Sequence, residues 1–135
     1  MYKLEEIKVG MVESYSQTMS EADVKNFANI SGDRNPMHMD DLYAEKSRFG
    51  KRIVHGMFST SFFSALFGTR LPGPGCIYVS QNIKFRKPVY IGDTVTAYVE
   101  VKHIDPARRR VYFDTYCKVR SLKVITGTAE IYIPE

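Results

Sequence analysis

Cysteine is scarce in this chain of 135 residues. Cys76 and Cys117 are the two, and their separation matches no metal-ligand spacing. Both fall in stretches that read as strand, so they are expected as small buried apolar residues in a reducing compartment. An apolar leader is missing too. Met1-Tyr2-Lys3-Leu4-Glu5-Glu6 places acids where a signal peptide needs apolar side chains, which points to the cytoplasm. The most apolar segment, Met57 to Phe67, is too short to span a bilayer and contains Ser and Thr, so no membrane partner is expected. Charge of neither sign dominates: 19 Lys and Arg stand against 15 acids, a net +4. No basic run is flanked by stacking aromatics, so nucleic acid is not an expected partner. Asp33, His38, Asp40, Asp41 and His55 match no zinc or phosphohydrolase spacing, and Pro36 breaks the helical register such sites use, so no metal is expected. Repeats and low-complexity segments are absent.

What is present is an ordinary globular composition, 44% apolar and 25% charged. Residues 1–135 suffice for a sizeable core and are read as one domain. Ser20 followed by Asp23 is a capping pattern; Val24, Phe27 and Ala28 recur at helical spacing; Gly32 sits where the helix must stop. A helix over 21–30 therefore delivers the chain to Ser31-Gly32-Asp33-Arg34-Asn35-Pro36-Met37-His38, where glycine and proline predict a stiff loop. That loop carries one carboxylate and one imidazole, a pairing suited to acid–base chemistry on a water molecule. Asp40-Asp41 can cap a short second helix through about residue 46.

From Gly56 to Gly68 large apolar residues occupy nearly every helical face, the pattern of a buried helix, and Pro72-Gly73-Pro74-Gly75 ends it. The period then changes to two. Four alternating rows, around 77–85, 94–102, 111–119 and 125–133, predict a four-strand antiparallel meander, with a weaker strand at 11–18. A sheet curved around one long buried helix is α+β architecture of the hot-dog kind. An open sheet edge would invite a second copy, so a homodimer or higher homo-oligomer is expected.

The segment Phe27 to His38, with Ala44 beyond it, resembles the hydratase motif of MaoC-like proteins, specifically the (R)-specific enoyl-CoA hydratases. The resemblance continues in one order through Ile53-Val54-His55-Gly56-Met57, Pro72-Gly73-Pro74-Gly75 and Phe85-Arg86-Lys87-Pro88-Val89-Tyr90-Ile91-Gly92-Asp93. Met37 departs from it, standing where the pattern has a branched aliphatic residue, and so does the bulky Phe67. The resemblance implies addition of water across the double bond of a trans-2-enoyl thioester, or the reverse dehydration. It implies that Asp33 and His38 hold the water, that the Gly56 N–H is the oxyanion donor, that Asn35 orients the loop, and that Ser64 lines the site beside the aspartate. Which of Asp33 and His38 acts as base stays open. Coenzyme A would be part of the substrate, and no cofactor is implied.

Ser64, Phe67 and Ile131 are expected to border the acyl tail, and Phe67 to restrict it to about four to six carbons. His55 reads either as a satisfied histidine at the helix entry or as a substrate contact. Lys84 and Arg86, with Arg48, Lys51, Arg52 and Lys87, form a basic patch that suits either CoA phosphates or an acidic carrier protein. Arg108-Arg109-Arg110 reads as a solvated hairpin turn or as a further phosphate contact. The rival readings are a 3-hydroxyacyl-[acyl-carrier-protein] dehydratase, an acyl-CoA thioesterase and a non-catalytic acyl-binding subunit. Residues 57–67 contain no Asp or Glu, which argues against a thioesterase carboxylate on the central helix. The presence of both acid and imidazole argues against a non-catalytic role.

Overall fold

A capping box starts the first long helix, α1 (Glu21–Ser31), in the computed structural model, which describes all 135 residues. The Ser20 hydroxyl accepts the Asp23 N–H, and the Asp23 carboxylate accepts the Ser20 N–H. Such a cap contributes about 0.5–2 kcal/mol. Gly32 stops the helix at a φ of 81°, a left-handed conformation that costs other residues dearly. A strand, β1 (Val12–Thr18), precedes α1, as its sequence suggests.

The segment after Gly32 is less irregular than expected. Pro36–Met39 forms one helical turn, α2. Asn35 caps it by accepting the Met37 N–H at 3.1 Å, and Pro36 occupies a first-turn position where its missing N–H costs nothing. Proline therefore starts structure here where sequence reasoning expected it only to stop structure. Asp40 then caps α3 (Asp41–Glu45) through the N–H groups of Leu42 and Tyr43.

The central helix, α4 (Gly56–Thr69), buries Phe62, Phe63, Leu66 and Phe67 against the sheet. Full burial of each such side chain contributes about 1.5–3 kcal/mol. Its apolar content nevertheless does not bury it all round. Ser61, Ser64, Ala65 and Gly68 lie exposed along one side, so one face of the helix is uncovered.

The sheet contains β1, β2 (Ile77–Phe85), β3 (Thr94–Asp105), β4 (Arg110–Val119) and β5 (Leu122–Tyr132), all antiparallel. The spatial order is β1-β3-β4-β5-β2. The expected four-strand meander is thus three strands long, β3-β4-β5, and β2 pairs with β5 instead of β3. The linker explains the difference. Arg86 and Lys87 donate to Val124 O as the chain leaves β2, and Val89 O accepts the Val54 N–H. Tyr90 then bridges to Ile53, and Gly92 and Asp93 exchange hydrogen bonds with Met19. The linker passes under the entry to α4 and emerges beside β1, so β3 pairs there. Alternation holds in β3 and β4, where Val95, Ala97, Val99, Val111, Phe113 and Cys117 all face the core. It fails in β2, an edge strand on which Ile77, Val79 and Phe85 stay largely exposed. The architecture is α+β, a hot-dog sheet around a central helix. Cys117 is buried in β4, whereas Cys76 lies just outside β2 and is half-buried; both are free thiols. No helix is long and apolar enough to cross a membrane.

Candidate active site

A cavity of about 430 Å³ opens where α4 begins. Its walls come from the Asp33–His38 segment, the α4 entry and the chain leaving β2. Asp33, His38, His55, Gly56 and Arg86 all line it, so the fold brings five of the sequence-derived site residues together.

Asp33 is exposed and anchored: one carboxylate oxygen accepts the Asn35 N–H at 3.1 Å. Asn35 in turn caps α2, on which His38 sits. The two hydrogen bonds run in series from acid to imidazole and fix their spacing. His38 is buried, and its Nδ1 lies 2.7 Å from Ile53 O. A carbonyl can only accept, so Nδ1 carries the proton and Nε2 keeps a bare lone pair. Burial pushes the His38 pKa down from its ordinary value. The bond to Ile53 O and the Asp33 charge oppose that shift, while neighbouring His55 adds to it. The result is a neutral imidazole beside a carboxylate, a pairing able to take a proton from water near pH 7.

The start of α4 lines the same cavity, and its N-cap residue His55 stacks on His38. The N–H groups of Gly56 and Met57 have no acceptor within the chain, and His55, at the N-cap, offers no side-chain cap. Free N–H groups at a helix N-terminus suit a developing oxyanion. The Phe85 ring crowds Gly56 so closely that an added Cβ would fall 2.4 Å from a ring carbon. Glycine lets that ring lie against the helix start.

Asp33, His38 and His55 each bring one ligand-type atom within 4.8 Å of the others. The two imidazoles, however, are stacked, with centroids 3.9 Å apart and planes 28° apart. Both rings also spend one nitrogen on a carbonyl, His38 Nδ1 on Ile53 O and His55 Nε2 on Asp33 O.

Four sequence-derived positions lie elsewhere. Ser64 is exposed on the open side of α4, about 12 Å along the helix from Gly56 at 1.5 Å per residue. Phe67 and Ile131 are fully buried in the core, and Phe67 packs edge-on against Tyr78 and Phe113. Lys84 faces outward from β2, at a polar depression on the outer side of the sheet. Within the basic patch, Arg48, Arg86 and Lys87 reach the cavity. Lys51 stands over the Tyr90 ring outside the cavity, and Arg52 is held by Glu21 and Asp41. Arg108 and Arg109 fall in the β3–β4 turn, and Arg110 pairs with Glu130, away from the cavity.

Sequence reasoning missed Ser59 and Ile125, which complete the cavity wall. Ser59 is buried, and its hydroxyl has no partner. A signal existed: Ser59 lies one helical turn beyond His55 and Gly56, on the face they define. Ile125 had none, since its place depends on the pairing of β5 with β2.

Comparison with known proteins adds to this geometry. The family model described as MaoC like domain matches residues 4–123. The chain is similar to an (R)-specific enoyl-CoA hydratase of Rhodospirillum rubrum, with 48% identity covering 99% of this chain and 93% of the relative. It is similar to a 3-hydroxybutyryl-CoA dehydratase of Methylorubrum extorquens, with 44% identity over 97% of this chain and 83% of that one. Among solved structures, the (R)-hydratase from A. caviae superposes with a TM-score of 0.91 at 37% identity, covering 95% of this chain and 98% of that chain.

Proposed function

The chain belongs to the MaoC-like family, and from that premise we propose that it is a hydro-lyase, an (R)-specific enoyl-CoA hydratase. One observation carries the reading: His38, with Nδ1 engaged and Nε2 bare, and Asp33 line one cavity with Gly56 and Met57, whose N–H groups have no acceptor within the chain. Water held by Asp33 and His38 loses a proton as its oxygen bonds to C3 of the enoyl thioester. The electron pair of the double bond moves onto the thioester oxygen, where the α4 N–H groups stabilise it. The enolate then collapses back to the thioester carbonyl as C2 takes a proton from the Asp33–His38 pair, which returns the one removed from water. Water's hydroxyl ends on C3 and one hydrogen on C2, with no net proton left on the protein. The same groups run the dehydration in reverse. Burial keeps the His38 ring neutral, with its Nε2 lone pair free to accept a hydrogen bond from the water that it and Asp33 would share. Coenzyme A enters as part of the substrate and no cofactor takes part, so activity is expected to survive EDTA.

Arg48, Arg86 and Lys87 at the cavity suit the phosphates of coenzyme A. The names of the two relatives support a CoA ester over a carrier-protein ester, and that of the second supports a short chain. The free thiols fit the cytoplasm. The exposed β2 edge and the open side of α4 fit a homodimer, which sedimentation would register. The test is incubation with crotonyl-CoA, following loss of the enoyl absorbance and resolving product chirality. Formation of the (R)-3-hydroxybutyryl ester is expected. Release of free CoA without a hydroxyacyl product would overturn the reading in favour of a thioesterase. A much higher kcat/KM with the carrier-protein ester would move it to the dehydratase.

A further inference from the structure

Resting on that reading, we propose that His55 is a positioning residue, whose imidazole ties Asp33 and His38 to the start of α4 and so fixes them relative to the oxyanion donors. Its place in the fold differs from that of a substrate contact. The residue is 1% exposed. Its Nε2 lies 2.9 Å from Asp33 O, and since a carbonyl only accepts, Nε2 is the donor. One face of the ring stacks on His38 at 3.9 Å. Phe27, from α1, packs against it at 4.9 Å with planes 58° apart. A single side chain therefore touches α1, the backbone of the acid and the ring of the base. The next residue in the chain is Gly56, which lines the cavity and whose N–H has no acceptor within the chain.

The helix start gives the independent argument. An N-cap residue ordinarily turns a side-chain oxygen onto the N–H groups of its own first turn. His55 makes no such bond. Ser, Asp or Asn at this position would draw the Met57 N–H to itself and place a competing acceptor at the oxyanion site. Histidine leaves that N–H free and reaches outward to Asp33 instead. Its Nδ1 is buried with no partner, so the ring is held in place by one hydrogen bond and two ring contacts. That arrangement forgoes a cap and leaves a polar atom unsatisfied, both of which cost stability, in exchange for the placement of two catalytic groups.

The experiment compares His55→Phe, His55→Gln and His55→Asn in the intact chain, alone and combined with Asp33→Asn. Phenylalanine keeps the ring contacts and removes the N–H. Glutamine restores a donor at the reach of Nε2, and asparagine places it too short. A displacement of about 1 Å costs on the order of 10²-fold, so His55→Phe and His55→Asn are expected to lower kcat by about 30- to 100-fold with KM little changed, and His55→Gln to recover most of the loss. In the Asp33→Asn background, His55→Phe should add almost nothing, because the group it positions is already gone. Wild-type kcat in His55→Phe, equal losses in Gln and Asn, or multiplicative losses with Asp33→Asn would each overturn the proposal. Should the Phe variant fail to fold, the Gln and Asn pair decides. An imidazole ¹⁵N spectrum gives a readout independent of turnover: His38 should keep its Nδ1–H form, held by Ile53 O, in every variant, and its resonances should shift in His55→Asn, which removes the stacked ring, but not in His55→Phe, which keeps it. If wild type hydrates no enoyl thioester, the functional reading fails, and that spectrum still judges the positioning.

Discussion

The two ends of α4 share one helix and follow opposite rules. The C-terminal half packs Phe63, Leu66 and Phe67 to full burial, with Phe67 wedged between Tyr78 and Phe113. The N-terminal turn carries an unpartnered histidine nitrogen, an unpartnered serine hydroxyl and N–H groups without acceptors, all beside an open cavity. Close packing at one end anchors the helix, and that anchorage lets the other end keep unsatisfied polar groups in fixed places. Stability is concentrated where no chemistry occurs.

The sharpest way to break this contrast is Phe67→Ala. It is expected to cost about 3–5 kcal/mol of stability in denaturant titrations. Because the ring lies outside the cavity, the ratio of kcat/KM for eight-carbon and four-carbon substrates should stay unchanged; a shift toward the longer chain would put Phe67 back on the acyl tail. Next come Asp33→Asn and His38→Gln, expected to lower kcat by about 10²–10³ each, or roughly 3–4 kcal/mol of barrier. Their circular dichroism should match wild type, and their double variant should cost far less than the product of the singles.

A smaller effect concerns pH. Burial lowers the His38 pKa below its ordinary 6.5, so the unfolded chain binds that proton more readily than the folded one. Stability from this group is present above pH 6.5 and declines as pH falls below it. Urea midpoints measured from pH 7.5 down to 5 should fall, and His38→Gln should flatten that slope. The acid limb of kcat/KM should likewise lie below 6.5, and a limb above that value would contradict a neutral buried base. Smallest of all is Ser59→Ala, which removes an unpartnered buried hydroxyl and should leave stability unchanged or raise it by up to about 1 kcal/mol. A loss of more than that would reveal a bond to this hydroxyl in solution.

Much of the molecule is legible along the chain because it depends on neighbours in sequence. Ser20 with Asp23, Gly32, and the alternating rows of β3 and β4 declare their structure through backbone preference and burial period alone. The pairing of Asp33 with His38 is local in the same sense, since both lie within one turn-and-cap unit. Other features depend on what is distant in sequence. Whether β2 meets β3 or β5 is decided by a linker that bonds to Val124, Val54 and Met19 in turn. Which face of α4 is covered follows from that choice, and with it whether Phe67 lines a pocket or fills a core. Ser64 and Ser59 look alike in sequence, and only the helix's rotation against the sheet puts one in solvent and the other in the cavity wall. The acid and imidazole of the proposed site are written in a short motif; the ring stacked beside them, the free N–H groups that share their cavity and the shape of that cavity arise only when strands far apart in the chain close around the helix, because packing, unlike capping or alternation, is a property of surfaces that meet.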